Sequence, residues 1–183
     1  AQQILIGPRQ QPAVGDGENR FAFLTKSADA DDKLVERVKA NAGLQVLQGP
    51  ELRVIFLGMD QKRDELQYSN VKGKNPFKDK RVREAIHRSI DVDAIKRTVM
   101  RGQAFPTNLM VAPGINGYMK DLDKRPALLK PDEAKKLLAE AGFPNGFAVT
   151  LHGPSDRYIN DGRVIQTVAQ TFSQSKGFLV LTV

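Results

Sequence analysis

The sequence contains no cysteine and no tryptophan, and only two of its 183 residues are histidines. Without cysteine, the chain can form neither a disulfide nor a thiolate zinc site, and it has no cysteine nucleophile. A chain of this length corresponds to one domain with enough residues to bury a core. The missing cysteines fit both a reducing cytoplasm and an oxidising periplasm, so they leave the compartment open.

Long hydrophobic runs are also absent. The longest apolar candidates, residues 54–59 and 177–183, have the length of strands, whereas a membrane helix needs about 20 apolar residues. The sequence begins with Ala-Gln-Gln rather than with a basic segment followed by an apolar stretch. We therefore expect that any export signal has been removed or was never part of this sequence.

Acidic residues are too few to balance the basic ones, since 28 Lys and Arg face 21 Asp and Glu. A solvent-exposed helix face and a nucleic-acid-binding surface are both compatible with this excess, but the second would need aromatic residues beside the basic ones. Tyr68 and Phe77 are the only aromatics nearby, which favours the exposed face. The densest basic run contains Lys72, Lys74, Lys78, Lys80, Arg81, Arg83 and Arg88.

The first third of the chain predicts short elements. Residues 7–19 are rich in proline and glycine and predict a loop or linker, and apolar residues at helical spacing predict a helix over 29–42. We expect strands at 21–25, 44–47 and 53–59, with the last two paired through a turn at Gly49-Pro50.

The middle of the chain predicts three helices. An amphipathic helix is expected over 79–90, and a second helix is expected to begin after Asp91 and to end at Gly102. Prolines and glycines predict an irregular segment over 105–118. The third helix is expected between Pro131 and Gly142.

The end of the chain predicts a βαβ unit. A strand at 147–151 is followed by a helix at 162–173 and a strand at 177–183. We expect the two strands to be parallel, with the right-handed crossover that such connections take.

The residues that could carry catalysis do not form a recognisable site. The loop from His152 to Asp156 contains the three residue types of a hydrolytic triad, but a triad is assembled from separate elements, so we interpret this run as coincidence. His87 lies in the basic helix, and no carboxylate cluster accompanies either histidine. No phosphate-binding or dinucleotide-binding glycine motif occurs. We expect no catalytic residue, no metal and no cofactor.

The loop over 152–161 is the best candidate for binding. It leaves the carboxyl end of a strand and enters a helix, where open α/β sheets place ligands and where the helix dipole favours anions. Arg157 could hold a carboxylate, and Tyr158 could supply an apolar wall with a polar tip. Asn160 or Asp161 could cap the helix. The alternative is that Arg157 pairs with Asp156 or another carboxylate and that the loop only reverses the chain.

Several separate motifs carry a family resemblance in the expected order. Together they resemble the family 5 extracellular solute-binding proteins, the dipeptide and oligopeptide receptors of ABC importers. The resemblance extends from about Phe21 to about Gln170 and corresponds to only the second lobe of a family member. The motifs are residues 52–60 (LRVIFLGMD), 75–86 (NPFKDKRVREAI), 89–95 (SIDVDAI), 113–118 (PGINGY), 132–142 (DEAKKLLAEAG) and 156–161 (DRYIND).

The resemblance implies an α/β fold, namely a single lobe of the two-lobed type II periplasmic-binding-protein fold, with a mixed sheet, flanking helices and the βαβ unit near the C-terminus. Residues 1–20 would be a leading segment or linker, and residues 21–183 would form the lobe. A receptor of this family is periplasmic and is not an enzyme. It closes over a peptide-like solute and delivers it to an ABC permease.

For the candidate loop, the resemblance implies that Arg157 grips the carboxylate of the ligand, with Asp156, Tyr158 and Asn160 as ligand-binding neighbours. The missing first lobe is then a partner, and we expect weak binding by this chain alone. The alternative function is a freestanding basic module whose helix over 78–88 binds nucleic acid or another acidic partner. Steep salt dependence of DNA binding would favour that module.

Overall fold

The computed structural model describes residues 2–8, 22–24, 37–50, 52–174 and 178–182. The chain divides into two compact units. Unit 1 comprises Ala1–Val54 and Val111–Tyr118, and unit 2 comprises Ile55–Met110 and Met119–Val183. The domain boundary expected between residues 20 and 21 lies outside the described residues and stays a prediction.

Unit 1 contains a three-stranded antiparallel sheet in the order β2-β1-β3. Its strands are β1 (Gln2–Pro8), β2 (Ala22–Leu24) and β3 (Leu44–Pro50). Leu5 in β1 lies opposite Phe23 on one side and Leu47 on the other. The strand expected over 21–25 is confirmed. The loop expected over 7–19 is wrong at Gly7 and Pro8, which belong to β1, and the rest of that loop lies outside the described residues.

The hairpin expected between 44 and 59 is wrong. Strand β3 continues through Gly49 and Pro50 instead of turning there, and residues 53–59 contain no strand. The partner of β3 is β1, which lies some 40 residues away in sequence. The turn propensity of Gly-Pro is a local signal, and the pairing with a distant strand overrides it. Of the helix expected over 29–42, residues 37–39 are helical, residues 40–42 are not, and residues 29–36 lie outside the described part.

The first two helices of unit 2 confirm the local signals in the sequence. Helix α1 (Lys80–Ser89) begins after Asp79, whose side chain accepts the Arg81 N–H at 2.8 Å. Asp91 caps the next helix, α2 (Val92–Ala94), by accepting the Ala94 N–H at 2.7 Å. Helix α2 continues as a π turn over Ile95–Val99, which the sequence pattern does not predict. The chain then leaves through Gly102, which has a positive φ.

Helix α3 (Pro131–Glu140) and the βαβ unit are also confirmed. The Glu133 carboxylate accepts the Lys130 N–H at the start of α3, and Gly142 follows its end with a φ of +88°. The βαβ unit consists of β4 (Phe147–Leu151), α4 (Asp161–Gln174) and β5 (Phe178–Thr182). Its strands are parallel, with Val149 opposite Val180. The mixed sheet expected from the resemblance is described instead as an antiparallel sheet in unit 1 and this parallel pair in unit 2.

The core of unit 2 lies between the helices and β4. The Phe147 ring packs against the Phe143 ring at a centroid distance of 5.0 Å and against the Phe77 ring at 6.2 Å. Ser69 forms an antiparallel bridge with Val149 in β4. The buried core residues are Leu66, Phe77, Val82, Ala85, Ile86, Leu138, Phe143, Phe147, Val168, Ala169 and Phe172.

Candidate functional site

The candidate site is the connection from β4 to α4, residues 152–160, which we name the Arg157 loop. It begins at the carboxyl end of β4, as the sequence predicts. Gly153 lies so close to α4 that a Cβ atom there would collide with the Ile165 side chain. Any larger residue here would have to displace the Ile165 side chain, because the start of the loop lies directly against the helix that it enters.

The carboxylate of Asp161, a buried residue, organises the loop. Its Oδ2 atom accepts the backbone N–H of Arg157 at 2.9 Å and that of Tyr158 at 3.0 Å. Its Oδ1 atom accepts the Gly162 N–H at 2.7 Å. Burial favours a higher pKa, but these backbone hydrogen bonds outweigh it and hold the pKa of Asp161 below its usual value. Asp161 therefore stays ionised near neutral pH.

This arrangement changes the electrostatic argument made from the sequence. The anion at the amino terminus of α4 is the carboxylate of Asp161 itself, so the helix dipole already has a counter-charge. The attraction for a further anion must come from Arg157. Sequence reasoning considered Asp161 only as a possible cap. An acidic residue at the first position of a helix is the signal that identifies it.

Arg157 is exposed and is held by its neighbour Tyr158. Its Nε atom donates to the Tyr158 hydroxyl at 3.1 Å, and its Cζ atom lies 5.5 Å from the centroid of that ring. Among the described residues, none forms an ion pair with Arg157 or a hydrogen bond with its Nη1 and Nη2 atoms. The alternative in which Arg157 pairs with Asp156 is therefore not observed, and the two terminal amino groups are available for a bidentate carboxylate.

Asn160 and Asp156, the other two residues predicted to bind ligand, lie in different environments. Asn160 adopts a φ of +58°, and its side-chain Nδ2 atom donates to the Val99 carbonyl at 3.1 Å, at the end of the π turn. Its side chain thus fixes the loop to the segment after α2. Asp156 is exposed at the tip of the loop. The structure brings Arg157 and Tyr158 together, whereas ligand binding by any of the four residues stays a prediction.

An aromatic pair that sequence reasoning did not assign to the site lies at the same end of β4. The rings of Tyr68 and His152 are 4.8 Å apart at an interplanar angle of 59°. The pair forms because the Tyr68 carbonyl accepts the Thr150 N–H at 2.9 Å, which aligns residues 68–70 with β4. Nothing in the local sequence around Tyr68 indicates this distant pairing. In the described part of the chain, no hydrogen bond joins His152, Ser155 and Asp156.

The basic run near α1 is largely paired within the chain. Lys78 contacts Asp64 at 2.6 Å, and Arg81 contacts Asp79 at the same distance. These partners reduce the positive field that a nucleic-acid interface would need, so they disfavour the alternative function.

Among the described residues, His87 and the other metal-ligating residue types form no second candidate site. His87 is half-buried, and burial followed by the charge of Arg125 lowers its pKa, although a hydrogen bond with the Asn108 side chain opposes the shift. Within the ranges that the structure describes, no group of three or more His, Asp or Glu residues could hold a metal ion. In the same ranges, no helix has the length and apolar character needed to cross a membrane.

Comparison with known proteins identifies relatives among binding proteins. The glutathione-binding protein GsiB of Escherichia coli (strain K12) is 30% identical over 158 residues, which cover 86% of this chain and 27% of that protein. The chain thus spans about a quarter of the length of the curated relatives that it matches.

Two solved structures agree with this result. The periplasmic binding protein DppA from Helicobacter pylori, in complex with the peptide STSA, has a TM-score of 0.52 and 27% identity, with 60% of this chain and 20% of that chain covered. The dipeptide binding protein from Pseudoalteromonas sp. SM9913, in complex with Met-Leu, has a TM-score of 0.51 and 25% identity, with 59% and 21% covered. These similarities support the type II periplasmic-binding-protein fold.

A family model extends over nearly the whole chain. Residues 14–180 match the model described as "Bacterial extracellular solute-binding proteins, family 5 Middle". The chain therefore belongs to the family 5 bacterial extracellular solute-binding proteins.

Proposed function

We propose that this chain is one lobe of the solute-binding component of an ABC importer, and that the complete protein binds a peptide-like solute in the periplasm without catalysis. Family membership and the binding functions named for GsiB and DppA support this proposal. A second lobe closes over the solute, and a membrane permease then receives the solute.

The observation that best supports the proposal is the position of the Arg157 guanidinium, which is exposed and held through Nε by Tyr158. A guanidinium in water gains little from an isolated surface ion pair, but one whose position is already fixed loses less entropy on binding. The Tyr158 hydroxyl fixes Nε, and the Asp161 carboxylate fixes the backbone of both residues. Nη1 and Nη2 then bind the two oxygens of the terminal carboxylate of a peptide.

The neighbouring residues have different proposed roles. Tyr158 contacts the apolar part of the solute with its ring, and the exposed Asp156 accepts a hydrogen bond from a solute N–H group. Asn160 acts by holding the loop on Val99, and it adds its remaining amide oxygen to the site. Because one lobe supplies only part of the contacts, this chain alone binds weakly, and the full receptor binds more tightly.

A nuclear magnetic resonance titration of this chain tests the carboxylate contact. The ¹⁵N resonance of Arg157 Nε is followed while Met-Leu or glutathione is added, and each is compared with its C-terminal amide. We expect a saturable shift with the free acids and a shift at least severalfold smaller with the amides, because amidation removes the charge that the guanidinium binds.

The matched variants are Arg157→Gln and Arg163→Gln, since Arg163 is also exposed but lies within α4. Only Arg157→Gln should weaken binding, by about tenfold to a hundredfold, as expected for hydrogen bonds to a charged group. Equal shifts with acids and amides, or equal losses in the two variants, would exclude the proposed role of Arg157.

A further inference from the structure

Two Asn-Gly pairs occur in the sequence, at Asn116-Gly117 and at Asn145-Gly146. In both pairs the asparagine is exposed. The backbone nitrogen that follows an asparagine can attack the carbonyl carbon of its side-chain amide. Glycine has no Cβ atom to shield this nitrogen or to restrict its backbone, so Asn-Gly is the pair in which asparagine loses its amide most readily.

The turn at Asn116-Gly117 leaves the glycine nitrogen open. The Tyr118 N–H donates to the Ile115 carbonyl at 3.1 Å, so Asn116 and Gly117 occupy the two central positions of the turn. Gly117 has a φ of +93°, and a Cβ atom there would meet nothing within 4 Å. Among the residues that the structure describes, none accepts a hydrogen bond from the Gly117 N–H. Both reacting groups, the Gly117 nitrogen and the Asn116 amide, are therefore open to water.

The turn at Asn145-Gly146 uses the glycine nitrogen instead. The Gly146 N–H donates to the Phe143 carbonyl at 2.9 Å, so Gly146 is the fourth residue of its turn and closes it. Phe143 is buried, and its ring packs against Phe147, which fixes the position of the acceptor. Attack on the Asn145 side chain requires the same nitrogen, so this hydrogen bond must first break. The two identical pairs therefore differ in the availability of the nucleophile.

We propose that Asn116 is a site of spontaneous deamidation and that the fold protects Asn145 from the same reaction. The Gly117 nitrogen bonds to Cγ of Asn116, and the Cγ–Nδ2 bond breaks. The proton of the Gly117 nitrogen leaves with the amide nitrogen as ammonia, and a succinimide remains. Water then opens the succinimide at one of its two carbonyls, which gives aspartate or isoaspartate. Water is the only co-reactant, and no group is oxidised or reduced.

The reaction changes the charge and the backbone of residues 113–118 (PGINGY), one of the motifs that carry the family resemblance. Either product places a carboxylate at residue 116. Isoaspartate also routes the main chain through the former side chain and adds a methylene group to it, which lengthens the turn that the Ile115–Tyr118 hydrogen bond closes. This inference goes beyond the proposed function and does not depend on it.

Incubation of this chain at mildly alkaline pH, followed by peptide mapping with mass spectrometry, tests the proposal. Each deamidation raises the mass of its peptide by about 1 Da, and chromatography separates the aspartate and isoaspartate products. In the folded protein, Asn116 should deamidate about tenfold faster than Asn145, which is the factor that the net contribution of one hydrogen bond allows. In concentrated urea, the two rates should agree within about twofold, because each pair is followed by an aromatic residue and the turns are lost.

Three variants identify the sites and the cause of the difference. Asn116→Gln should abolish the modification at residue 116, because the longer side chain cyclises far more slowly. Pro144→Ala removes the residue that pre-sets φ at the second position of the 143–146 turn, so deamidation of Asn145 should accelerate severalfold. Pro126→Ala, at another exposed proline, should leave both rates unchanged.

Slow hydrogen exchange at the Thr150 amide, which donates to the Tyr68 carbonyl at 2.9 Å, verifies that each protein is folded. Equal rates at Asn116 and Asn145 in a folded protein would exclude protection by the Phe143–Gly146 hydrogen bond. An Asn116 that stays unmodified in the folded protein and reacts only in urea would exclude the site. A tenfold difference that persists in urea would assign the difference to the neighbouring residues and would also overturn the inference.

Discussion

Two loops of unit 2 close around a buried polar side chain, but the chemistry of the two side chains differs. Asn75 closes residues 60–77, since its Nδ2 atom donates to the Asp60 and Arg63 carbonyls and its Oδ1 atom accepts the Phe77 N–H. Asp161 closes the Arg157 loop and only accepts, from backbone N–H groups. The neutral amide satisfies donors and acceptors together, whereas the carboxylate requires ionisation to hold its loop.

This difference separates a scaffold from the loop that we propose binds the solute. The loop around Asn75 begins at Asp60 and leads into α1, and the hydrogen bonds of the Asn75 side chain do not depend on pH, because an amide does not titrate. The loop around Asp161 presents Arg157, and its order depends on a titratable group. Substitutions at the two buried side chains and at Gly153 should therefore differ in their effects on stability and on the order of the Arg157 loop.

The largest effect is expected from Asn75→Asp. A carboxylate here would face the carbonyl oxygens of Asp60 and Arg63 without a proton to donate, so we expect a loss of about 3 kcal/mol or more in the free energy of unfolding. Urea denaturation at neutral pH measures it. The control is Asn70→Asp, because the exposed Asn70 uses its oxygen to accept the Ala148 N–H, so the loss should stay within about 0.5 kcal/mol. Similar losses in the two variants would contradict the donor role of Asn75.

Gly153→Ala should cause the next largest loss of stability. Its Cβ atom would collide with Ile165, and overpacking of this kind costs about 1–3 kcal/mol. Thermal or urea unfolding measures the loss, and Ile165→Val, which removes the closest atom, should restore part of it. Gly162→Ala is the matched control, because a Cβ atom there meets nothing within 4 Å and alanine favours the helix. If Gly162→Ala were destabilised as much as Gly153→Ala, the loss at Gly153 could not be assigned to the collision with Ile165.

Asp161→Asn should have a smaller effect on stability and a specific effect on the Arg157 loop. An asparagine has only one acceptor oxygen, so the hydrogen bonds to Arg157, Tyr158 and Gly162 cannot all persist, and we expect a loss of about 1–2 kcal/mol. Hydrogen exchange should accelerate at the amides of Arg157 and Tyr158. Asp132→Asn, at an exposed residue of α3, should leave these amides unchanged. Unchanged exchange in Asp161→Asn would show that the carboxylate does not order the loop.

The smallest effect is the pH dependence that Asp161 contributes. The pKa of Asp161 is lowered in the folded state, so its contribution to stability is complete above the unfolded pKa of about 4 and is lost as the pH falls through the lower folded pKa. Between about pH 5 and pH 7, the wild-type and Asp161→Asn proteins should therefore show parallel stability curves. Below about pH 4, the wild-type curve should fall more steeply. Curves that stay parallel throughout would indicate that Asp161 has an ordinary pKa.

Much of unit 2 could be predicted from the sequence because its signals are local. Asp79 and Asp91 cap helices through bonds to residues two or three positions away, and Gly142 provides the positive φ after α3. The pairing of β3 with β1 could not be predicted, since it depends on a distant strand and overrides the turn signal at Gly49-Pro50.

In the candidate site, too, the features set by local sequence signals could be predicted and those set by distant contacts could not. The position of Arg157 after β4 follows from the strand–loop–helix pattern. The attachment of Asn160 to Val99 depends on a π turn that no spacing in the sequence indicates. The approach of Tyr68 to His152 likewise depends on the alignment of two segments about 80 residues apart.

The central claim is that the guanidinium of Arg157 binds the terminal carboxylate of the solute. Calorimetry of the full-length protein, with and without Arg157→Gln, against Met-Leu and its C-terminal amide forms a double-mutant cycle that isolates this contact. The account predicts a coupling energy of about 1.5–3 kcal/mol, as for a hydrogen bond to a charged group. A coupling energy near zero, with tight binding of Met-Leu by both proteins, would contradict it.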